Sequence, residues 1–246
     1  MTPQQLLLIS NSTNPGEAYL EWTEAYIMKF LKNTSVHKIL FIPFAGVNLT
    51  PDGINPSYEL YTNKVKKVFN RLGYHVYSIL NEENPVQAAE DAGCIMIGGG
   101  NTFFLVYMLY KWKLMEPIRR KILSGTPYIG WSAGSNIACP SLRTTNDMPI
   151  IEPESFNTLN IVPFQINPHY QDTYPTDHGG EIREQRIMEF LAVNPLIRVA
   201  GLRERTALHI DGNKVKLLGT RPMRYFEFGQ QPKEFNPGEN LEILMR

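Results

Sequence analysis

One serine stands where its hydroxyl could act as a nucleophile. Residues 130–134 read Gly-Trp-Ser-Ala-Gly, which matches the pattern G-x-S-x-G with Ser132 at its centre. The apolar pair Tyr128-Ile129 precedes this motif, and the sequence predicts a helix over Ala133–Ala138. A sharp turn between a strand and a helix strains a serine and exposes its hydroxyl. The five residues alone also fit a serine that caps an ordinary helix, but their context favours a nucleophile.

A serine nucleophile needs a base, and five histidines could supply one. His37 and His75 precede predicted strands and His209 lies inside one, so structural positions suit these three. His178 lies in a polar loop, where simple exposure to solvent explains it. His169 follows an apolar segment and an Asn-Pro pair in an irregular region. Reactive groups gather at the carboxyl ends of parallel strands, so His169 is the candidate base, with a structural role as the alternative.

A run of three glycines could bind negative charge. Residues 98–100 are all glycine, and they follow a predicted strand and precede Asn101. A phosphate cradle at a helix N-terminus is one interpretation, but neither G-x-G-x-x-G nor a following Lys-Ser/Thr pair is present. The other interpretation is an oxyanion hole. In it, the backbone N–H of the glycine turn and that of Ala133, after Ser132, would stabilise developing negative charge.

The elements that must position these groups alternate between short apolar runs and amphipathic stretches. Such alternation is typical of a mainly parallel sheet with helices on both faces. Predicted strands cover residues 6–10, 39–43, 75–79, 94–97, 127–131 and 197–202, and predicted helical stretches cover 20–31, 61–72, a short segment from 85, 102–111, 117–123 and 181–193. The segment 141–180 is irregular and rich in proline, and long loops of this kind are usually functional.

Toward the C-terminus the pattern changes to antiparallel pairing. Residues 207–210 and 215–218 flank Asp-Gly-Asn and predict a hairpin, and 225–228 and 241–244 are predicted as further antiparallel strands. We therefore predict a three-layer α/β fold. It has a mainly parallel central sheet, helices on both faces, a nucleophile elbow after a central strand and antiparallel C-terminal strands. No repeat or linker divides the chain, so residues 1–246 are expected to form one domain.

Composition narrows the partners and the compartment. The 246 residues carry 24 basic and 24 acidic side chains, and zero net charge disfavours nucleic acid. The two cysteines, Cys94 and Cys139, show no metal or redox spacing and are expected to be buried thiols in a reducing compartment. The longest apolar run, Phe103–Tyr110, is far shorter than the ~20 residues of a membrane span, and Met1–Ser10 lacks a signal-peptide pattern. We expect a soluble, cytoplasmic protein without a membrane partner.

Several longer motifs accompany the one around Ser132. They are Leu8–Thr13, Phe41–Val47, Gly98–Phe103, Arg143–Ile150, Gln165–His169 and Gly180–Arg186. Together they resemble the S51 family of serine peptidases, the aspartyl dipeptidases. The resemblance runs from the first strand to about residue 202 and is weaker over the last 40 residues. The number and length of these motifs make the match highly specific.

The resemblance implies a reaction and most of its participants. Members of the family remove an N-terminal aspartate from dipeptides by acyl-enzyme chemistry, without a metal or another cofactor. The resemblance places the nucleophile on Ser132, the base on His169, and the oxyanion donors on the backbone of Gly100 and Ala133. Chelators are therefore expected to have no effect.

The acid that orients the histidine has two candidates, Asp147 and Glu204. A triad acid must be buried enough to accept a hydrogen bond from the histidine Nδ1–H. Glu204 follows a predicted strand and is favoured as the orienting acid, while Asp147 lies in a family-like loop and is kept as a site residue that shapes the pocket. Arg203 and Arg205 flank Glu204 where the family tends to have Pro and Gly.

Aspartate specificity needs a cation beside the substrate carboxylate. The resemblance places Arg183 in that pocket, and a guanidinium matches a carboxylate bidentately. On the sequence alone, Arg183 also fits a solvated helix face or a pair with a nearby glutamate. Asn101 could add a hydrogen bond to the substrate.

Two other functions stay open from the sequence. One is a related exopeptidase or esterase of the cyanophycinase type, which cleaves β-aspartyl peptides. The other is a non-catalytic binding module on the same scaffold, although nucleophile, base and oxyanion donors all occur together. The expected partner is a small Asp-Xaa peptide, and the sequence leaves the oligomeric state undetermined, with a homodimer open.

Overall fold

The chain alternates between strands and helices through most of its length. A computed structural model describes residues 4–32, 34–172 and 179–246. Strands in these ranges are β1 Gln5–Ile9, β2 Lys38–Ile42, β3 His75–Ser78, β4 Ile95–Ile97, β5 Tyr128–Trp131, β6 Gln165–Pro168, β7 Val199–Leu202, β8 Thr206–Asp211, β9 Lys214–Gly219, β10 Met223–Phe226 and β11 Lys233–Phe235. The α-helices are α1 Glu24–Lys32, α2 Ile54–Arg71, α3 Pro85–Asp91, α4 Thr102–Lys111, α5 Met115–Leu123, α6 Ala133–Asn136 and α7 Arg183–Val193.

The central sheet has seven strands in the order β3-β2-β4-β5-β1-β8-β9. The first five are parallel, and β8 and β9 extend the sheet as an antiparallel hairpin beside β1. A second sheet has the order β11-β10-β7-β6, in which β6 and β7 are parallel and the other pairs antiparallel. Parallel strands place their carboxyl ends at one edge, and this edge carries Ser132 after β5.

Alternation of side chains along each central strand builds two apolar layers. In β1, Leu6 and Leu8 contact the layer that includes buried side chains of α4 and α5, whereas Leu7 and Ile9 contact the layer of α1 and α2. All four are fully buried, as expected for a parallel sheet covered on both faces. Helix α7 packs against one face of the second sheet through Ile187 and Leu191. This architecture confirms the predicted three-layer α/β fold with a mainly parallel sheet.

One C-terminal prediction needs correction, and one C-terminal strand was not predicted. The segment 241–244, predicted as a strand, lies in a 3-10 helix over Glu242–Met245, whose Leu244 packs on the main core. The edge strand β11, rich in charge, was not predicted, because Lys-Glu-Phe shows no apolar alternation and its pairing with β10 is a tertiary contact. No helix within the described residues has the length and apolar character needed to cross a bilayer.

Candidate active site

The turn after β5 holds Ser132 in a rare backbone conformation. Its φ is 53° and its ψ is −112°, between the end of β5 and the start of α6. Its backbone N–H donates to the Ile9 carbonyl at 3.0 Å, and its carbonyl accepts from the N–H of Ser135 and Asn136. A strained residue of this kind costs about 1–3 kcal/mol and persists only where the surrounding structure over-determines it.

The flanking glycines are required by close backbone approach. A Cβ on Gly130 would lie 2.5 Å from the Gly134 carbonyl oxygen, and one on Gly134 would lie 2.1 Å from that of Ile97. The sequence motif therefore reflects space that side chains at these two positions would fill.

His169 reaches Ser132 from the second sheet. It follows β6 and has φ 52°, and its backbone N–H donates to Ser10 Oγ at 3.0 Å. The hydroxyl of Ser10, which is fully buried at the end of β1, donates in turn to the Leu202 carbonyl at 2.8 Å. Through these two hydrogen bonds, Ser10 connects the backbone of His169 to both sheets. This role of Ser10 was not predicted, because a polar residue that ends an apolar strand gives no sign of such distant partners.

The side chains of serine, histidine and glutamate form a continuous chain. His169 Nε2 lies 3.0 Å from Ser132 Oγ, and His169 Nδ1 lies 3.1 Å from Glu204 Oε1. A carboxylate accepts hydrogen bonds only, so the proton at this contact belongs to Nδ1, and Nε2 is left to accept from the serine hydroxyl. The register of β6 and β7 explains the meeting, because Pro168 is paired with Leu202. The glutamate is more exposed than expected for an orienting acid: the side chains of His169 and Glu204 are 37% and 43% exposed.

The arginines beside Glu204 fix its loop. Arg203 is buried and forms ion pairs with Asp172 and Glu234. Hydrogen bonds from Arg203 hold the pKa of Asp172 below its usual range. Arg205 has φ 65°, and its N–H donates to Asn11 Oδ1 at 2.9 Å. The departure from the family pattern at these positions is therefore accommodated by local bonds.

Asp147 lies at the start of α4 and does not contact the histidine. Its Oδ2 accepts from the Thr102 N–H at 2.7 Å, the Thr102 hydroxyl at 2.6 Å and the Thr145 hydroxyl at 3.1 Å. A carboxylate at this position binds the otherwise unpaired N–H groups of the first helical turn and suits the helix dipole. The geometry thus brings Glu204, and not Asp147, to His169.

The glycine turn after β4 lies against the Ser132 turn. A Cβ on Gly99 would lie 2.8 Å from Ser132 Cβ, and one on Gly100, with φ 134°, would lie 2.1 Å from the Ala45 carbonyl oxygen. The Gly100 N–H finds no acceptor among the described residues. Ala133 is the first residue of α6, where a helix leaves N–H groups without intrahelical partners. Neither N–H has a hydrogen-bond partner among the described residues, so both stay candidates for the oxyanion donors.

Asn101 has its side chain engaged within the protein. As the N-cap of α4 its Oδ1 accepts from the Phe104 N–H at 3.0 Å, and its Nδ2 donates to the Met148 carbonyl at 2.9 Å. Its contact with substrate stays a prediction.

Arg183 begins α7 and lines a cavity of about 220 Å³ together with Asn146, Asp147 and Asn167. Its Nε is buried without a hydrogen-bond partner among the described residues. Asn146 connects this cavity to the base, because its Nδ2 donates to the carbonyl of Pro168, the residue before His169, at 2.6 Å.

Two remaining sequence predictions concern other groups. His178 lies outside the described residues, and His209 lies on β8 as predicted. Within the described parts of the chain, no three His, Cys, Asp or Glu side chains gather where they could hold a metal ion. A hydroxyl, an imidazole and backbone N–H groups without partners among the described residues lie at this edge, and acyl transfer uses groups of these kinds.

Comparison with known proteins identifies the family. The model of peptidase family S51 matches residues 6–218. A curated relative from Nostoc sp., described as Peptidase E, is 48% identical over 242 residues, which cover 98% of this chain and 97% of the relative. Another so described, from Shewanella amazonensis, is 42% identical over 239 residues, with coverages of 97% and 98%. The chain therefore belongs to peptidase family S51 and is a peptide hydrolase, and the resemblance found in the sequence is confirmed.

A solved structure shares the fold. The crystal structure of a peptidase from an acI-B1 Actinobacterium aligns with a TM-score of 0.72 over 97% of this chain and 96% of that one. At 18% sequence identity, this likeness supports the α/β architecture alone.

Proposed function

We propose that this peptidase is a serine exopeptidase that hydrolyses Asp-Xaa dipeptides through an acyl-enzyme intermediate. The observation that carries the proposal is the hydrogen-bonded chain from Ser132 through His169 to Glu204. The open N–H groups of Gly100 and Ala133 beside it support the same reaction.

The proposed reaction has two halves. Ser132 Oγ attacks the carbonyl carbon of the aspartyl residue while His169 Nε2 takes the hydroxyl proton, and the resulting oxyanion accepts from Gly100 and Ala133. The imidazolium then protonates the leaving amine as the C–N bond breaks, which leaves an aspartyl ester on the serine. A water molecule, deprotonated by His169, attacks this ester, and the serine recovers its proton as aspartate leaves. Glu204 keeps the Nδ1 proton in place throughout.

Arg183 is the proposed partner of the aspartyl carboxylate. Its guanidinium has no ion-pair partner among the described residues, whereas Arg186 on the same helix lies 3.9 Å from Glu181. A buried carboxylate loses hydration and needs a charge-assisted bond, and an unpaired guanidinium at a cavity supplies one. The family resemblance in Gly180–Arg186 points to the same role.

A substrate panel tests the proposal. Purified enzyme is offered Asp-Leu, isoAsp-Leu, Glu-Leu, Asn-Leu and a longer peptide that begins with aspartate, with and without EDTA. Hydrolysis of Asp-Leu well above the others, unchanged by EDTA, is expected. Preference for isoAsp-Leu would move the enzyme to the β-aspartyl class. Failure of a serine-directed phosphonate to label native enzyme, with no hydrolysis of any peptide, would indicate a binding module.

We also propose that the protein works in the cytoplasm. Cys94 and Cys139 are free and buried, and burial raises the pKa of both thiols, so they stay protonated and unreactive. Such thiols suit a reducing compartment. Recovery of the native protein in the cytosolic fraction of its source cells tests this point.

A further inference from the structure

A buried tyrosine connects the two turns that hold the open backbone donors. Tyr61 lies on α2, and its Oη donates to the Gly99 carbonyl at 3.0 Å and accepts from Trp131 Nε1 at 2.9 Å. Gly99 immediately precedes Gly100, and Trp131 immediately precedes Ser132. One hydroxyl therefore bridges the backbone of one turn to the side chain that starts the other.

The ring of Tyr61 fills space that two glycines leave free. A Cβ on Gly46 would lie 2.5 Å from the Tyr61 ring, and one on Gly98 would lie 2.4 Å from its hydroxyl oxygen. Tyr61 is only 5% exposed, and burial raises its pKa to about 12. The phenol stays protonated at neutral pH, so it can donate to Gly99 and accept from the indole at the same time.

We propose that Tyr61 is a positioning residue for the oxyanion hole, and that its hydroxyl sets the separation between the Gly100 and Ala133 donors. This inference rests on the proposed acyl-enzyme function. Donors act only when they lie about 2.7–3.1 Å from the oxyanion, so a small shift of one turn weakens stabilisation of the transition state more than binding of the substrate.

The same helix offers a matched control. Tyr58 lies one turn before Tyr61 and is 2% exposed, but its hydroxyl has no hydrogen-bond partner among the described residues. Tyr58→Phe and Tyr61→Phe each remove one buried hydroxyl from α2, and only the second removes a bridge between the turns.

The experiment compares the two variants with native enzyme on Asp-Leu, with active sites counted by phosphonate titration. Loss of a whole oxyanion donor lowers kcat about 10²–10³-fold, so displacement of one in Tyr61→Phe is expected to lower kcat about 10- to 100-fold. KM is expected to stay near the native value. The inhibition constant of an aspartyl boronate, whose tetrahedral adduct uses the same donors, is expected to rise by the same factor as kcat falls. Tyr58→Phe is expected to leave all three unchanged.

The inference is overturned if Tyr61→Phe keeps the native kcat per titrated site, or if its loss appears in KM alone. It is also overturned if Tyr58→Phe lowers kcat equally, since the effect would then belong to helix packing. Should Tyr61→Phe not fold, Trp131→Phe removes the indole donor from the other side and is held to the same criteria. Failure of the proposed function is recognised separately, because native enzyme would then cleave no Asp-Xaa dipeptide, or Ser132→Ala would match its rate.

Discussion

The amino-end and carboxyl-end edges of the central sheet differ in the size of the cavity beside them and in backbone geometry. The amino-end edge borders a cavity of about 920 Å³, whose walls include Lys38, Lys121 and His209. The carboxyl-end edge carries Ser132, and the cavity beside Arg183 measures only about 220 Å³. The larger of these two cavities therefore lies away from the side chains of the proposed acyl transfer.

Backbone strain separates the same two edges. Ser132 and His169 have positive φ, and so does Arg205 beside Glu204. Among the described non-glycine residues that line the amino-end cavity, none has a positive φ. Strain is retained where hydrogen bonds over-determine the backbone, as the Ser10 bond does for His169. Preorganised polar geometry, rather than volume, distinguishes the edge where we propose that the reaction takes place.

The largest difference in kcat between the two edges is expected when the proposed nucleophile and base are replaced. Ser132→Ala and His169→Ala should each lower kcat for Asp-Leu by about 10⁴-fold or more, and the double variant should be no worse, because the pair acts as a unit. Lys38→Ala, at the amino-end cavity, should keep native kcat. Steady-state kinetics on preparations free of contaminating peptidase provide the measurement. Additive losses would show that His169 acts elsewhere, and loss of activity in Lys38→Ala would break the comparison.

The next largest difference is expected between substitutions of the two acids at the carboxyl-end edge. Glu204→Gln removes the acceptor that fixes the Nδ1 proton and should lower kcat about 10²–10⁴-fold, with partial exposure favouring the lower end. Asp147→Asn weakens the cap of α4 and should lower stability by about 1 kcal/mol, with its kinetic effect mainly on KM. Kinetics and thermal unfolding of both variants are compared. The reverse pattern would give the orienting role to Asp147.

Replacement of Arg183 is expected to have a smaller effect on activity, and to change the substrate specificity of the enzyme. An unpaired buried carboxylate costs about 3–5 kcal/mol, so Arg183→Met should lower kcat/KM for Asp-Leu about 10²–10³-fold. A small activated ester without the carboxylate should be turned over normally. Arg186→Met, which changes a neighbouring cation on the same cavity, is the matched control and should change little. Equal losses on ester and dipeptide would show Arg183 to be structural.

The smallest effect is expected at the amino-end edge, in stability alone. Burial lowers the pKa of His209, Asp211 opposes the shift, and Lys216 and Lys29 add to it. The unfolded chain therefore takes up a proton at higher pH than the folded chain. The stabilising contribution is present above the ordinary histidine pKa of about 6.5 and is lost as pH falls below it.

Chemical denaturation of native protein and His209→Gln at several pH values between 5 and 8 tests this. The variant should show a shallower fall in the free energy of unfolding below pH 6.5, with kcat unchanged. His75→Gln, which replaces an exposed histidine at the start of β3, should keep the native pH dependence. An identical slope in His209→Gln would contradict the assignment.

Local pattern was sufficient where an element depends on its own residues. The predicted helix 102–111 agrees with α4 to the residue, and the predicted hairpin turns at Gly212, between β8 and β9. Periodicity failed at residues 241–244, where an apolar alternation suited a strand but contacts with the core select a 3-10 turn. Tyr61 begins the predicted helical stretch 61–72, but its hydroxyl partners lie 38 and 70 residues away and could not be predicted from that stretch.

The strand–helix order, the Gly-x-Ser-x-Gly turn and the family could all be predicted from the linear chain. These follow from spacing, from side-chain size and from motif length, all of which are local properties of the chain. Which acid meets His169 was decided only by the tertiary structure, because Asp147 and Glu204 are both plausible carboxylates in the linear chain. The parallel register that pairs Pro168 with Leu202 brings Glu204 to the histidine, while α4 takes Asp147 as its cap. Strands β6 and β7 lie far apart in the chain, so the residues around either strand alone do not show which positions of the other they pair with.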